Sequence, residues 1–254
     1  MQLLDSPKGN YRFLTGIAPF SSGVVADPGY EIVHATLHAP LPYRQGFDLI
    51  DEHLNAQDRS RYALCAIELR SPEPFTFEGF AAFNQGYRAL LADWDLLVDE
   101  RNPIARSNVA PEVGPPAEPS LYAFSYTVPA SDAPARPSFV VAGTGDLDLD
   151  RGTLSPEAII RYGETSSDAL QEKAAGVIQM VAPRLEGMGV GWADATAVNI
   201  YTAHPLHSFL AGTVLEGIGQ AATHGVHWFL ARPPVIGLEF EMDVRGIRRE
   251  LRLG

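Results

Sequence analysis

The sequence predicts an α+β chain of two similar halves, each a mixed β-sheet backed by two helices. Three observations lead there. Strand-like and helix-like segments run in the order β-α-β-α-β in each half. Apolar residues recur near every 3.6 positions in the helical segments and alternate in the strand segments. A proline-rich stretch, "PASDAPARP" at 129–137, suits neither element and separates the halves. The expected domains are residues 1–130 and 137–254.

In the first half, "YRFLTGIAPF" reads as a strand that closes on Gly16. A helix follows over "YRQGFDLIDEHLNA", then the strand "ALCAIELR", the helix "FEGFAAFNQGYRALLADW" and the closing strand "SLYAFSYTV". An extra hairpin strand is expected here. In the second half, "SFVVAGTGDL" is a strand and "SSDALQEKAAGVIQMVAPRLEGMG" a long helix. Leu170, Ala174, Val177, Val181 and Leu185 form its apolar stripe, with Ser and Asp at its start as capping candidates. The strand "ADATAVNIYTA", the helix "HSFLAGTVLEGIGQAA" and the closing strand "VIGLEFEMDV" complete the order.

Composition narrows the function classes. Of 254 residues, 46% are hydrophobic and 20% charged, as in an ordinary globular chain. The net charge of −12, with no basic run, disfavours nucleic acid and anionic membrane partners. A small anionic metabolite remains admissible, because a local arginine outweighs a distant field in a desolvated pocket. No apolar run is long enough to span a bilayer, and the N-terminus lacks a basic region followed by an apolar one. With the single cysteine, Cys65, this sets the expectation of a cytoplasmic protein without disulfides. Cys65 lies in an apolar strand, where an inert buried thiol is expected.

Several segments carry candidate chemistry. "NPIARSNVAP" at 102–111 places Arg106 in a polar stretch with neither helical nor strand periodicity. Arg106 would present a planar fork to a carboxylate, with Ser107 and Asn108 as further donors. Capping of a helix end or pairing with Asp99 is the alternative, and the residues do not decide between them. In "GLEFEMDVRG", alternation puts Glu239, Glu241 and Asp243 opposite the apolar row of Leu238, Phe240, Met242 and Val244. That row of carboxylates is either a solvated face or a source of a general acid or base. His204, His207, His224 and His227 cluster in sequence but lack the spacing of a helical metal motif, so no metal and no cofactor is expected. One histidine of "HGVHW", His224, is a candidate proton donor. "VAGTGDLDLD" is a weak phosphate-loop match, and its acidic run would repel phosphate. Asn84 and Tyr87 stand at helical spacing and read as a polar face with one packed aromatic.

On these residues the chain resembles the RidA/YjgF superfamily. "IARSNVAPEV" is similar to that family's arginine segment, with Arg106 at the arginine position. "LEFEMDV" is similar to its closing-strand signature, with Glu239 at the glutamate position. The resemblance implies two tandem RidA-like (chorismate-mutase-like) domains, each keeping one signature and lacking the other, so a working site must be composite. It further implies a hydrolase, an imine or enamine deaminase acting on a small carboxylate-bearing substrate such as an aminated muconate-like acid. In that reading Arg106 binds the carboxylate and Glu239 activates water; beside them, Ser107, Asn108 and Glu241 are the expected further substrate contacts and His224 a second proton-transfer group. It also implies a homo-oligomer, by analogy a homotrimer. The opening "YRFLTGIAPFSSG" is reminiscent of chorismatases and keeps cleavage of an enolpyruvyl ether as an alternative. A non-catalytic metabolite-binding protein is the third.

Overall fold

The computed structural model describes residues 1–132, 136–148 and 155–254, so part of the proline-rich break lies outside the described residues. The fold is α+β with two mixed sheets. The chain forms β1 (Leu3–Ser6), β2 (Tyr11–Leu14), β3 (Gly23–Ala26), β4 (Tyr30–Pro42), α1 (Tyr43–Ala56), β5 (Leu64–Arg70) and α2 (Phe77–Asp93). It continues through β6 (Ala105–Pro111), β7 (Ser120–Pro129), β8 (Phe139–Gly145), α3 (Ser167–Gly187) and β9 (Ala197–Tyr201). Last come β10 (His227–Phe229), β11 (Ala231–Arg232), β12 (Glu241–Gly246) and β13 (Arg249–Leu253).

The sheets exchange their terminal strands. A seven-stranded sheet has the order β1-β2-β3-β8-β12-β9-β10, and a six-stranded sheet the order β11-β6-β5-β7-β4-β13. The first three strands of the chain thus extend the sheet built from its second half. The last strand pairs in parallel with β4 of the first half, Arg249 opposite Val33 through Leu253 opposite Leu37.

Three apolar layers account for the stacking. Phe47, Ile50 and Leu54 of α1 and Tyr87 and Leu91 of α2 pack on Ile67, Leu69 and Phe124 of the six-stranded sheet. The predicted stripe of α3 packs on Phe139, Val141, Met242 and Val244 of the other sheet and on Phe240 just before β12. Burying each such side chain contributes about 1.5–3 kcal/mol. Between the sheets lies a third cluster, with Tyr11, Phe13, Cys65, Ala66, Ala105 and Ala142. Cys65 is buried there and burial pushes its thiol well up, as its apolar strand predicted.

Local signals explain most boundaries. The Thr76 hydroxyl caps α2 by accepting the Gly79 N–H at 3.0 Å. Ser166 occupies the N-cap of α3, but its hydroxyl turns to the Asp168 carboxylate at 2.6 Å instead of the backbone. Two expectations are corrected. Residues 102–111 are not a loop over their whole length, because β6 runs from Ala105 to Pro111. The expected helix over 207–222 is a six-residue π-helical turn at Leu210–Leu215 and a 3-10 segment at Gly219–His224.

Candidate functional site

Strand β6 carries the first half's contribution. It pairs in parallel with β5, Arg106 opposite Ile67 and Ser107 opposite Glu68, so successive side chains take opposite faces. Arg106 enters the helix layer, where Nη2 donates to Asn84 Oδ1 at 2.7 Å. Four rings surround its guanidinium: Tyr87 at 4.8 Å, Phe20 at 4.9 Å, and Phe80 and Phe83 both at 5.6 Å from the ring centres. Its Nη1 is buried with no partner among the described residues. Burial pushes its pKa down to about 10, against the pull of Tyr87 and Glu241, so it is still cationic at neutral pH. No carboxylate pairs with it among the described residues, and Asp99 is not its partner.

Ser107 takes the other face, where its hydroxyl donates to Asp243 Oδ2 at 2.8 Å across the gap between sheets. Asp243 also accepts from Tyr201 OH at 2.8 Å and Asn199 Nδ2 at 2.9 Å. Burial, reinforced by the Glu68 charge, raises its pKa to about 6. Asn108 accepts a hydrogen bond from Ser71 at 2.9 Å and keeps a buried, unpartnered amide nitrogen.

Strand β12 carries the second half's contribution. The sequence alternation holds, since Met242 and Val244 face α3 while Glu241 and Asp243 are buried on the opposite face. Glu241 Oε1 has no partner among the described residues. Burial and the neighbouring Asp243 hold its carboxyl well above the usual carboxylate range, outweighing the Arg106 and Arg70 charges that pull it down. Gly143 makes this position possible. A Cβ there would collide with Glu241 Oε1 and stand 3.2 Å from the Ser107 Cα. Without a side chain at 143, β8 approaches β6, and the arginine strand of one half meets the glutamate strand of the other.

Beside this junction opens a cavity of about 430 Å³. Its wall includes Phe20, Ser22, Phe80, Gly143 to Gly145, Glu241 and, from α3, Gln179 and Arg184. Phe20 and Phe80 face both this space and the Arg106 guanidinium. Behind the wall, Lys173 and Asp146 form a fully buried ion pair of 2.7 Å. Asp146 Oδ1 accepts the Glu239 and Phe240 N–H groups at 3.0 and 3.2 Å, which fixes the chain entering β12.

The other predicted residues lie elsewhere. Glu239 Oε2 bonds His204 Nε2 at 2.8 Å and does not line the cavity. His224 is exposed at the end of its 3-10 segment. His227 bonds Asn199 at 3.1 Å, and His207 packs edge-on against Trp228. Asn84 and Tyr87, read from sequence as a polar face, are the immediate neighbours of Arg106. Phe20 and Arg184 carry no motif in the sequence, and Gly143 stands out there only as a glycine of the strand "SFVVAGTGDL". Arg184 adjoins the apolar stripe of α3, and a charge bordering a buried stripe was the signal available.

The family model described as "2-aminomuconate deaminase CnbZ" matches residues 3–251. A 2-amino-5-chloromuconate deaminase of Comamonas testosteroni is 43% identical over 244 residues, covering 95% of each chain. Among solved structures, a chorismatase is 11% identical, with a TM-score of 0.46, covering 89% of this chain and 77% of its own. A candidate endoribonuclease from Thermotoga maritima is 17% identical, with a TM-score of 0.31, covering 55% of this chain and 91% of its own. No helix among the described residues is long and apolar enough to cross a membrane.

Proposed function

The chain belongs to the 2-aminomuconate deaminase CnbZ family, and from that premise we propose that it hydrolyses the amino group from a 2-aminomuconate-type acid. Such a substrate is a conjugated diene diacid with an enamine nitrogen next to one carboxylate. The observation that carries the reading is a pair of buried, unpartnered groups from opposite halves, Arg106 Nη1 and Glu241 Oε1. Each is costly to bury alone, and both suit an anionic, proton-requiring ligand.

In this mechanism Glu241 takes the proton-transfer role that family resemblance gave to Glu239, and Arg106 holds the carboxylate next to the reacting carbon. Glu241, kept neutral by burial, gives its proton to the enamine carbon skeleton, and the C–N bond becomes an iminium. The resulting carboxylate takes a proton from water as the water oxygen bonds to that carbon. Glu241 then returns the proton to nitrogen. The C–N bond breaks with its electron pair leaving on ammonia, and the hydroxyl proton passes back to Glu241 as the carbonyl forms. One water enters, one ammonia leaves and the acid is regenerated. Arg106 favours the charge that builds beside it.

The test is loss of a 2-aminomuconate chromophore, generated in place, together with ammonia release. The purified protein is expected to accelerate both, and Arg106→Met to abolish the acceleration. A rate no faster than buffer would remove this reading.

A further inference from the structure

We propose that Arg184 is a second carboxylate anchor in the cavity and that it makes the site selective for diacids. The proposal rests on the reading above, in which Arg106 and Glu241 mark the reacting end of the substrate.

Arg184 lies near the C-terminus of α3, partly buried, on the same cavity wall as Glu241. Its Nη1 donates to Thr144 Oγ1 at 2.7 Å and more weakly to Ala142 O at 3.5 Å. No carboxylate forms an ion pair with it among the described residues. Its one resolved electrostatic partner, Glu241, is itself pressed toward the neutral acid. Burial lowers the Arg184 pKa to about 10, so a full positive charge faces the cavity at neutral pH.

Cationic groups outnumber anionic ones around the space. Arg184 stands on the wall and Arg106 behind Phe20 and Phe80, while Lys173 and Asp146 cancel each other. Asp148, also on the wall, is the opposing charge. A monoacid held by Arg106 leaves Arg184 uncompensated. A diacid of matching length places its far carboxylate against the planar guanidinium, the geometry in which arginine binds carboxylates most strongly. The tether to Thr144 fixes the guanidinium before binding, which reduces the ordering cost.

The test compares two stable six-carbon diene acids, muconate with two carboxylates and sorbate with one, by titration calorimetry. The wild-type protein is expected to bind muconate at least tenfold more tightly than sorbate. In Arg184→Gln the ratio should fall to within about twofold of unity with sorbate affinity unchanged. Arg184→Lys, which keeps the charge but not the fork, should retain an intermediate ratio and serves should the glutamine variant not fold. A wild-type protein without preference, or an Arg184→Gln protein with the preference intact, would overturn the proposal. The second result would leave Arg184 as only a brace between α3 and Thr144. Because the readout is binding of non-reactive acids, it is separate from ammonia release, which alone decides the deaminase reading.

Discussion

Gly143 vacates the space that the Glu241 carboxyl fills, and the two residues are therefore one structural unit. A methyl group at 143 must displace either the carboxylate or the β6 backbone at Ser107. Gly143→Ala is expected to lower the deamination rate by at least about tenfold, since small misplacement of a reacting group costs that much or more. Combining it with Glu241→Asp, which withdraws the carboxyl by one methylene, should recover part of the lost stability in chemical denaturation. Additive losses in the double variant would separate the two residues.

Among the described residues, one hydrogen bond and four rings hold the Arg106 side chain, and its charge opposes burial. Arg106→Met keeps the apolar fill, loses the Asn84 contact and removes a desolvated charge, effects of about 1–3 kcal/mol that offset one another. Melting within a few degrees of wild type, with activity lost by about 100-fold or more, is the expected outcome. A protein that unfolds instead would make Arg106 structural.

The Glu241 carboxyl sets a pH dependence whose sign follows from its raised pKa. The folded state retains the proton above the ordinary value of 4.5, where the unfolded chain has released it. Its contribution to stability is therefore complete below that value and declines as pH rises to the folded pKa. Glu241→Gln cannot ionise, so denaturation midpoints should favour the variant increasingly from about pH 4.5 upward. A wild-type advantage that grows with pH would contradict the assignment.

Lys173 and Asp146 are both fully buried, and Asp146 also holds the backbone that leads into β12. Lys173→Met leaves that carboxylate unpaired, at an expected loss of about 3–5 kcal/mol. Urea denaturation checks the value, and a loss below about 1 kcal/mol would show that the pair is not needed.

Much of the architecture was legible in the sequence. The helical spacing of 43–56 and of the Leu170 stripe, and the alternation that turned Glu241 and Asp243 away from the α3 layer, all hold in the structure, although that opposite face is buried and not solvated. Strand β6 was not legible because Arg106, Ser107 and Asn108 are polar on both faces and find their environment in tertiary contacts. The helix expected over 207–222 breaks at Gly219, which takes φ +54°, and the 3-10 segment after it ends at Gly225 with φ +72°. The exchange of β1–β3 and β13 between sheets depends on pairings more than a hundred residues apart, which local patterns do not encode. At the site, the split signatures set the expectation of a composite pairing between halves, and the structure brings β6 and β12 together at Gly143 while Glu239 bonds His204 instead. Family resemblance led to Glu239, and the burial of Glu241 is what the proposal takes in its place.

That choice between carboxylates is the most direct test of the account. Ammonia release from 2-aminomuconate is measured under one condition for the wild-type protein, Glu241→Gln and Glu239→Gln. A loss of at least about 100-fold is expected for Glu241→Gln and a rate within about threefold of wild type for Glu239→Gln. Near-normal activity in Glu241→Gln, with the loss falling on Glu239→Gln, would contradict it.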